Sequence, residues 1–560
     1  MFSGASVTDK GFNFALMLAL ALAGAICYAN TLNGEFVWDD ASSILLHQHV
    51  QDPSKFFQLF QEDQHAFGRG QGNFYRPLVS VSFMVDYLLT YSPASDAPAP
   101  GASYPDIKPF VFHISNALWH ILAAIFFYLL LIRLGVPPGI RAVASLLYVV
   151  HPLHTEAVTY ISGRADMMSA AFMFLGLWAA LAQGPARRRI VGALFAAICF
   201  AAGLLSKESS FIFPFLLLLL LVLRPIGTAS KKPELAWRAL PLILALAVGG
   251  AYAALRMTVL RFSEAQDTGA SPLLQRLVET LQAFAFYIVK LFVPLGLHME
   301  QTLAGYSGWW AALGALLLAA LLGAFVLAIR MRQHRIAMAF GWFVITWVPI
   351  SGIFPLNAPM AEHWMYVPMA GFWWGMAELV ALAAQSPAAR RAACAAAALM
   401  FIVFAGLTAN RNEDWTSNES IFLATLRENP DSARVQFNLA VTYDDLIDNK
   451  PAAERHYEAA LRLYERSGQR SQAAEVHFAL AELLAAQQRY ADASDHYGQA
   501  LSLNQPNGDK EMAVAIALGL GKSLIAQGNP AAADQVLRQA LTMNPAVAPI
   551  VSDLLTGAPF

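Results

Sequence analysis

The sequence carries little charge for its length. Of its 560 residues, 14% are charged and 57% are hydrophobic, whereas a typical soluble chain has about 25% charged and 45–50% apolar residues. The charge is unevenly distributed, because residues 411–560 hold 12 Lys/Arg and 19 Asp/Glu. This distribution excludes a soluble enzyme and a disordered chain. It predicts a polytopic membrane domain at 1–410 and a water-soluble, acidic domain at 411–560.

Cysteine and cofactor motifs are also scarce. Cys27, Cys199 and Cys394 each lie in an apolar stretch, which is typical of small buried hydrophobes and not of a disulfide framework. The sequence contains no P-loop, GxGxxG, GxSxG or HExxH motif, so no soluble-enzyme cofactor is implied. A net charge of −2 gives no indication of nucleic acid binding.

Long apolar runs, by contrast, are abundant and predict an all-α fold. A membrane-spanning helix needs about 20 mostly apolar residues. Eleven segments fit this description: 12–30, 110–132, 139–154, 166–183, 190–206, 209–224, 238–256, 308–329, 336–352, 364–384 and 391–409. The segment 278–297 contains Glu279 and Lys290 and is interrupted by Pro294. We therefore expect a re-entrant or surface helix there instead of a twelfth span.

Basic residues predict the orientation in the lipid bilayer. Arg and Lys are concentrated in short connections that the positive-inside rule places in the cytoplasm, at 133–141, 184–190, 224–238, 330–335 and 385–391. With the N-terminus also inside, eleven crossings place residue 410 and everything after it on the outer side. The same count makes 31–109 the first outer loop.

The C-terminal domain contains a helical repeat. Thr425-Leu426, Ala460-Leu461, Ala500-Leu501 and Ala540-Leu541 recur at spacings of 35, 40 and 40 residues. Small residues where helices meet and a terminal Asn-Pro resemble tetratricopeptide repeats, whose usual period is about 34 residues. Such repeats stack into an α-solenoid with a concave groove. The domain is therefore expected to bind a peptide or partner, with a purely structural cap as the alternative.

Polar residues gather at the predicted outer ends of the spans, where an ionisable group marks a site by default. Asp39 and Asp40 follow the first span, and adjacent carboxylates suit a general base or a metal site; a solvated loop start is the alternative. Arg76 lies later in the same loop. Lys207, at the end of the fifth span, either anchors the helix at the interface or binds phosphate.

The second and last outer loops hold further candidates. His151, His154 and Glu156 lie within six residues, so they suit either a divalent cation or hydrogen-bonded positioning of the loop. The remaining polar residues of this group are Arg164, Asp166, Glu208, Glu362, His363 and Tyr366.

Seven motifs in order give the chain a recognisable pattern: FVWDD, YRPL, FHISNALWH, HPLHTEAVTYISGRADMM, LLSKES, AEHWMYVPMAGF and RNEDWTSNESIFLATLRENP. In this order, and followed by repeats, they resemble the transmembrane, tetratricopeptide-repeat-containing O-mannosyltransferases. That family is similar to the wider protein O-mannosyltransferases of the GT-C membrane fold. The Ala-rich composition and the cytoplasmic-membrane topology favour a bacterial relative, with the repeats in the periplasm.

The resemblance implies a transferase that moves a sugar from a polyprenyl-phosphate donor to a protein hydroxyl on the outer face. It implies that the acidic pair Asp39 and Asp40 is catalytic. It also implies roles in donor phosphate binding and ordering for His154, Glu156, Arg164, Asp166, Lys207 and Glu208. The chain departs from the family pattern at Glu362-His363, where Glu-Arg is usual. Because His is charged only in part near neutral pH, this departure weakens the phosphate role of His363.

The chemistry at such a site needs three kinds of group. The first is a base for the acceptor hydroxyl, for which Asp40 is our first choice and Asp39 our second. The second is a set of cations for the leaving phosphate, namely Arg164, Lys207, Arg76 and His363. The third is a sugar pocket formed by His151, His154, Glu156, Asp166, Glu208, Glu362 and Tyr366. No cofactor is required. Whether Asp40, His154 and Glu156 hold a divalent cation is left open by the sequence.

Direct attack of the acceptor on one face of the sugar predicts inversion at the anomeric carbon. Three other interpretations remain open. They are a non-catalytic scaffold that recruits partners through the repeats, the same chemistry on a lipid or glycan acceptor, and a transporter gated by the repeats. The last is disfavoured because the charges lie at span ends and not at mid-span.

Overall fold

The computed structural model describes residues 7–67, 73–91, 107–224, 231–258, 260, 272–303, 307–354, 356, 358–504 and 509–556. All regular elements in these ranges are helical, which confirms the predicted all-α class. The chain divides into two compact units, Met1–Ser417 and Asn418–Phe560.

The first unit is an assembly of long apolar helices. Its helices of more than eight residues are Val7–Cys27, Pro77–Thr90, Phe110–Arg133, Pro138–Val149, Arg164–Ala180, Ala186–Leu204, Phe213–Leu223, Lys231–Thr258, Leu273–Phe292, Gly308–Arg330, His334–Trp347, Pro368–Ala383 and Pro387–Asp414. A helix coincides with each of the eleven predicted spans. Five segments among the described residues are long and apolar enough to cross a membrane by themselves: 10–33, 110–133, 237–258, 308–330 and 387–414. The chain is thus a membrane protein, and the count of eleven crossings stays a prediction.

Three details add to the sequence-based expectation, and whether the ambiguous segment 278–297 is re-entrant or lies on the membrane surface stays a prediction. The loop 31–109 contains a helix, Pro77–Thr90, whose 14 residues are too short to meet a spanning criterion of about 20. The ambiguous segment is a regular helix, Leu273–Phe292, which ends just before Val293-Pro294 because proline disfavours helix at the residue before it. The Pro387–Asp414 helix continues past residue 410.

Local sequence explains how the helices turn at the predicted cytoplasmic side. Gly135 has a φ of +74°, a left-handed conformation that glycine adopts without strain. The N–H groups of Gly135 and Val136 donate to the carbonyls of Ile132 and Leu131, which closes the Phe110–Arg133 helix in a Schellman-like cap. Pro138 then begins the next helix, where its missing N–H costs nothing.

The second unit consists of paired helices, as the repeat predicts. They are Asn418–Glu428, Ala433–Val441, Lys450–Arg466, Arg470–Ala486, Tyr490–Asn504, Lys510–Ala526, Pro530–Met543 and Ala548–Thr556. The repeating small residues Ala460, Ala500 and Ala540 are fully buried, so they lie where helices touch. Asn449 and Asn529 cap two of the helices by accepting backbone N–H groups.

Candidate active site

The acidic pair lies on a strained turn just after the first helix. Trp38 has a φ of +51°, an uncommon conformation for a bulky residue that is found most often at functional sites. Its ring stacks on Tyr160 at 5.8 Å, and Tyr160 stacks on Trp415 at 5.4 Å. This stack joins the predicted first outer loop, the predicted second outer loop and the end of the Pro387–Asp414 helix.

Asp40 is a structural link and not an open base. It is fully buried. Its Oδ1 accepts the N–H and hydroxyl of Ser162 at 2.8 and 2.6 Å, and its Oδ2 accepts the N–H of Val37 at 3.0 Å. Burial raises the pKa of Asp40 to about 7, against the lowering effect of these hydrogen bonds. Both oxygens of Asp40 accept hydrogen bonds and are buried in this structure, so Asp40 is less accessible to an acceptor hydroxyl than Asp39, and the choice of base between the two stays a prediction.

Asp39 is the accessible member of the pair. It is partly exposed, while its backbone carbonyl accepts the Ser43 N–H at 2.9 Å and the Ser42 hydroxyl at 3.0 Å. Its carboxylate interacts with the Tyr160 hydroxyl and with the charge of His65. The structure thus fixes the backbone of Asp39 and leaves its side chain at the surface of the site.

Two ion pairs lie next to each other through the adjacent residues Lys207 and Glu208. Arg76 binds Glu208 with two bonds, Nη2–Oε1 at 2.8 Å and Nε–Oε2 at 3.2 Å. The Lys207 ammonium binds both oxygens of Asp166 at 2.7 Å. The Glu208 side chain is 52% exposed, so this pair opens to the surface. Arg76, Lys207, Asp166 and Glu208 are therefore brought together as predicted, although each cation already has a carboxylate partner.

Arg164 does not fit its predicted phosphate role. Its side chain is fully buried and pairs with Asp86 at 2.5 Å. The guanidinium also donates to the Asn116 side chain at 2.6 Å, to the Ser82 hydroxyl at 3.1 Å and to the Phe112 carbonyl at 2.9 Å. These four contacts all lie inside the protein and the side chain has no exposed surface, so in this structure Arg164 holds helices together.

A second charged cluster forms around the tenth predicted span. The Glu156 carboxylate receives the N–H of His363 at 2.9 Å and lies 3.0 Å from the His363 Nδ1. Arg411 bridges Glu362 at 3.2 Å and Asp414 at 2.8 Å. Glu156, Glu362 and His363 thus lie together as predicted. Sequence reasoning missed Arg411, whose signal was its place in the RNEDW motif.

Burial and neighbouring charge separate the two glutamates of this cluster. Burial raises the pKa of Glu362 to about 8, although the Arg411 charge acts in the opposite direction. Burial acts in the same sense on Glu156, but the charge and hydrogen bonds of His363 outweigh it and lower the pKa of Glu156. Neighbouring carboxylates whose pKa values are shifted in opposite directions are a pattern common at functional sites.

The histidines of the second outer loop have different surroundings. His151 uses both nitrogens within the protein, one with the Leu291 carbonyl at 3.0 Å and one with the Leu153 N–H at 3.2 Å, so it positions the loop and does not line a sugar pocket. His154 is buried between the rings of Tyr148 and Tyr366, at centroid distances of 4.6 and 4.4 Å. Tyr366 itself donates to or accepts from His120 at 2.7 Å.

The three residues considered as ligands of a divalent cation, Asp40, His154 and Glu156, do not come together. Asp40 is bound to Ser162, Glu156 to His363, and His154 lies among aromatic rings. Within the described ranges, no group of three or more His, Cys, Asp or Glu side chains is arranged to hold a metal ion. Of the two alternatives for the second outer loop, hydrogen-bonded positioning is the one that the geometry favours.

Fold and site together define a polytopic membrane protein with carboxylates and ion pairs at helix ends and a helical repeat unit. Two family models match the repeats, "Tetratricopeptide repeat" at residues 472–546 and "Soluble NSF attachment protein, SNAP" at residues 419–508. The tetratricopeptide prediction is confirmed.

Curated relatives match most of the chain. It is 25% identical to Protein O-mannosyl-transferase TMTC1 of Homo sapiens over 80% of this chain and 55% of the relative. It is 25% identical to Protein O-mannosyl-transferase Tmtc3 of Drosophila melanogaster over 86% of this chain and 58% of the relative. A shorter match, 32% identical, covers 29% of this chain and 16% of Protein O-mannosyl-transferase TMTC3 of Mus musculus. The chain thus spans less than two thirds of the length of each of these proteins.

The family recognised from the motifs is confirmed, since the chain is related to the transmembrane, tetratricopeptide-repeat-containing O-mannosyl-transferases over most of its length.

Proposed function

We propose that the chain is a GT-C-type membrane glycosyltransferase that moves a sugar from a polyprenyl-phosphate donor to a hydroxyl of a protein acceptor. Mannose is the proposed sugar, in keeping with the names of the relatives. The proposed setting is the outer, periplasmic face of a bacterial inner membrane. The observation that carries the proposal is the turn at Trp38, which presents the accessible Asp39 carboxylate on a backbone held by buried contacts.

In the proposed reaction, Asp39 accepts the proton of the acceptor hydroxyl as the hydroxyl oxygen attacks the anomeric carbon. The bond from that carbon to the donor phosphate breaks, and the phosphate leaves with the bonding electrons. Attack from the face opposite the phosphate inverts the configuration, and no covalent sugar–protein intermediate forms. Asp39 then returns its proton to water.

The leaving phosphate needs cations near it as its charge develops. We assign this role to Arg76 and Lys207, whose carboxylate partners Glu208 and Asp166 hold them in place; the exposed Glu208 opens the first pair to the surface, and the second pair lies buried beside it. A phosphate that enters here exchanges with a carboxylate as partner, so Glu208 and Asp166 are left to accept sugar hydroxyls. His363, 27% exposed beside Glu156, is a third cation when protonated.

The repeat unit is the proposed docking site of the acceptor or of a partner protein. It contains a groove of about 670 Å³ lined by aromatic and aliphatic side chains, including Phe478, Tyr490, Tyr497 and Leu518. Helical repeats commonly present such surfaces to peptides. Protein hydroxyls are favoured over lipid or glycan acceptors for this reason.

The test measures transfer of label from radioactive polyprenyl-phosphate mannose to membrane and envelope proteins by the purified full-length chain. We expect transfer by the wild type and a fall of about 10²- to 10⁴-fold in Asp39→Asn, the usual contribution of a general base. Glu35→Gln is the matched control, because Glu35 is an exposed carboxylate in the same loop and its loss should leave the rate unchanged.

Asp40→Asn separates the base from the structural carboxylate. This variant should lose thermal stability, because the amide presents an N–H to the N–H of Val37. A folded, stable Asp40→Asn that loses transfer while Asp39→Asn retains it would contradict the assignment of the base. Retention of the anomeric configuration in the product would contradict single displacement, and absence of transfer from a panel of lipid-linked sugars would favour the scaffold.

A further inference from the structure

His65 lies directly behind the turn that carries the acidic pair. Its Nδ1 is 2.9 Å from the Ser42 hydroxyl and 3.0 Å from the Ser43 hydroxyl. Ser42 and Ser43 both donate to the Asp39 carbonyl, Ser42 through its hydroxyl and Ser43 through its N–H. The Ser42 proton is therefore used, so Ser42 Oγ can only accept from Nδ1, whereas the Ser43 hydroxyl can donate to it; the tautomer decides which of the two bonds forms. With Nδ1 accepting, the proton of neutral His65 is on Nε2.

The backbone around His65 is itself fixed. The His65 N–H donates to Asp63 Oδ1 at 2.7 Å, and the other oxygen of Asp63 accepts the N–H of Phe74. The imidazole packs edge-on against the Phe74 ring at 5.7 Å. The Arg76 guanidinium lies over that same ring at 4.7 Å. His65 therefore joins the Asp39 turn to the Arg76–Glu208 ion pair.

The charges that act on His65 come from both sides. Asp39 and Asp63 favour its protonation, while Arg76 opposes it. Burial is the largest effect and lowers the pKa of His65 below its ordinary value of 6.5. The neutral imidazole, with Nδ1 free to accept, is thus the form present at neutral pH.

We propose that His65 is a positioning residue for Asp39, an inference that rests on the proposed function. Neutral His65 accepts the Ser43 hydroxyl and holds the turn so that the Asp39 carboxylate faces the acceptor. Protonation replaces the accepting lone pair with a donor, which breaks the bond from Ser43 and directs Nδ1 to the Ser42 oxygen instead. It also places a cation beside Asp39, which stabilises the carboxylate and weakens it as a base. Activity should therefore fall when His65 becomes protonated.

The kinetic test compares His65→Asn, His65→Ala and the control His49→Asn in full-length protein across pH 4.5–8. Asn places an accepting oxygen near the position of Nδ1 and does not titrate. We expect His65→Asn to keep most of the wild-type kcat at neutral pH and to decline less steeply than the wild type at acid pH, because Asp40 still titrates in this range whereas position 65 does not. His65→Ala should lower kcat about tenfold, the loss of one hydrogen bond, with the donor KM unchanged. His49 pairs with Glu62 in the same loop, so its variant should keep the wild-type profile.

A second measurement does not depend on activity. The His65 imidazole is titrated by NMR in wild type, Asp39→Asn and the control Asp52→Asn, with ¹³C-labelled histidine and assignment by His65→Asn. Loss of the Asp39 charge should lower the His65 midpoint by about 1 unit, the lower end of the effect of an opposite charge nearby. Asp52→Asn should leave it unchanged.

The outcomes separate the two proposals. A His65 midpoint that is the same in wild type and Asp39→Asn overturns the role of His65, and so does a His65→Asn profile that declines at acid pH as steeply as the wild type. If no lipid-linked sugar is transferred while the NMR coupling is present, the proposed function fails and the physical link between His65 and Asp39 stands.

Discussion

Arg164 shows how burial decides what a charged residue does. Its guanidinium pairs with Asp86 and donates to three further groups, and its side chain has no exposed surface. Removing one member of a buried ion pair leaves the other charge without compensation, which costs about 3–5 kcal/mol, whereas removing both costs less.

We therefore predict that Arg164→Gln lowers thermal stability strongly and leaves the donor KM of the remaining folded protein unchanged. The double variant Arg164→Gln/Asp86→Asn should be more stable than the single variant. The measurement is the midpoint of thermal aggregation in detergent, followed by size-exclusion chromatography. A stable Arg164→Gln with a tenfold higher donor KM would restore Arg164 as a phosphate ligand.

At the residue scale, the sequence was a better guide to the choice of candidate residues than to the role of each one. The motifs indicated Asp39, Asp40, Glu156 and Arg164, and their membership of one catalytic site stays a prediction. Their roles depend on partners far away in the chain, such as Ser162 for Asp40 and Asp86 for Arg164. Because these contacts form only in the folded protein, spacing alone did not separate an accessible carboxylate from a buried one.

Helices were predictable where an apolar run was long, as in Phe110–Arg133 and Gly308–Arg330. The helix Pro77–Thr90 was not predicted, because its 14 residues are fewer than a membrane span needs and it lies within the predicted loop 31–109. The sequence also did not predict which helices pack closely against each other. Glycines in a membrane helix either allow close approach or face open space, and the sequence does not distinguish the two.

Gly314 and Gly323, both in the Gly308–Arg330 helix, provide a matched pair. A Cβ at Gly314 would collide with the Leu281 carbonyl of the Leu273–Phe292 helix, whereas a Cβ at Gly323 would meet no described atom within 4 Å. We predict that Gly314→Ala destabilises the protein by about 1–3 kcal/mol, the usual cost of overpacking, and that Gly323→Ala does not. Thermal unfolding in detergent measures both, and equal midpoints would show that the two helices separate without cost.

At the scale of the whole chain, the boundary between the two units lies at 417/418, after Arg411, Asn412 and Trp415. Asn412 explains why the first unit extends past residue 410, since its side chain donates to the Cys27 carbonyl at 2.8 Å and accepts from Thr159 at 2.9 Å. Composition marked the change from apolar to charged sequence. It did not indicate that the first charged residues pack back onto the membrane unit.

The orientation of the two units in the membrane is the last prediction. In a chain with Cys27, Cys199 and Cys394 replaced, single cysteines are introduced as Ser502→Cys, exposed in the repeat unit, and Met331→Cys, 57% exposed. Met331 lies among Arg330, Arg332 and Arg335, which the positive-inside rule keeps in the cytoplasm. A membrane-impermeant maleimide should label Ser502→Cys in intact cells and Met331→Cys only after the membrane is opened. Labelling of both sites in intact cells would contradict an odd number of crossings between them. Labelling of Met331→Cys but not of Ser502→Cys in intact cells would place the repeats, and with them the proposed acceptor site, in the cytoplasm.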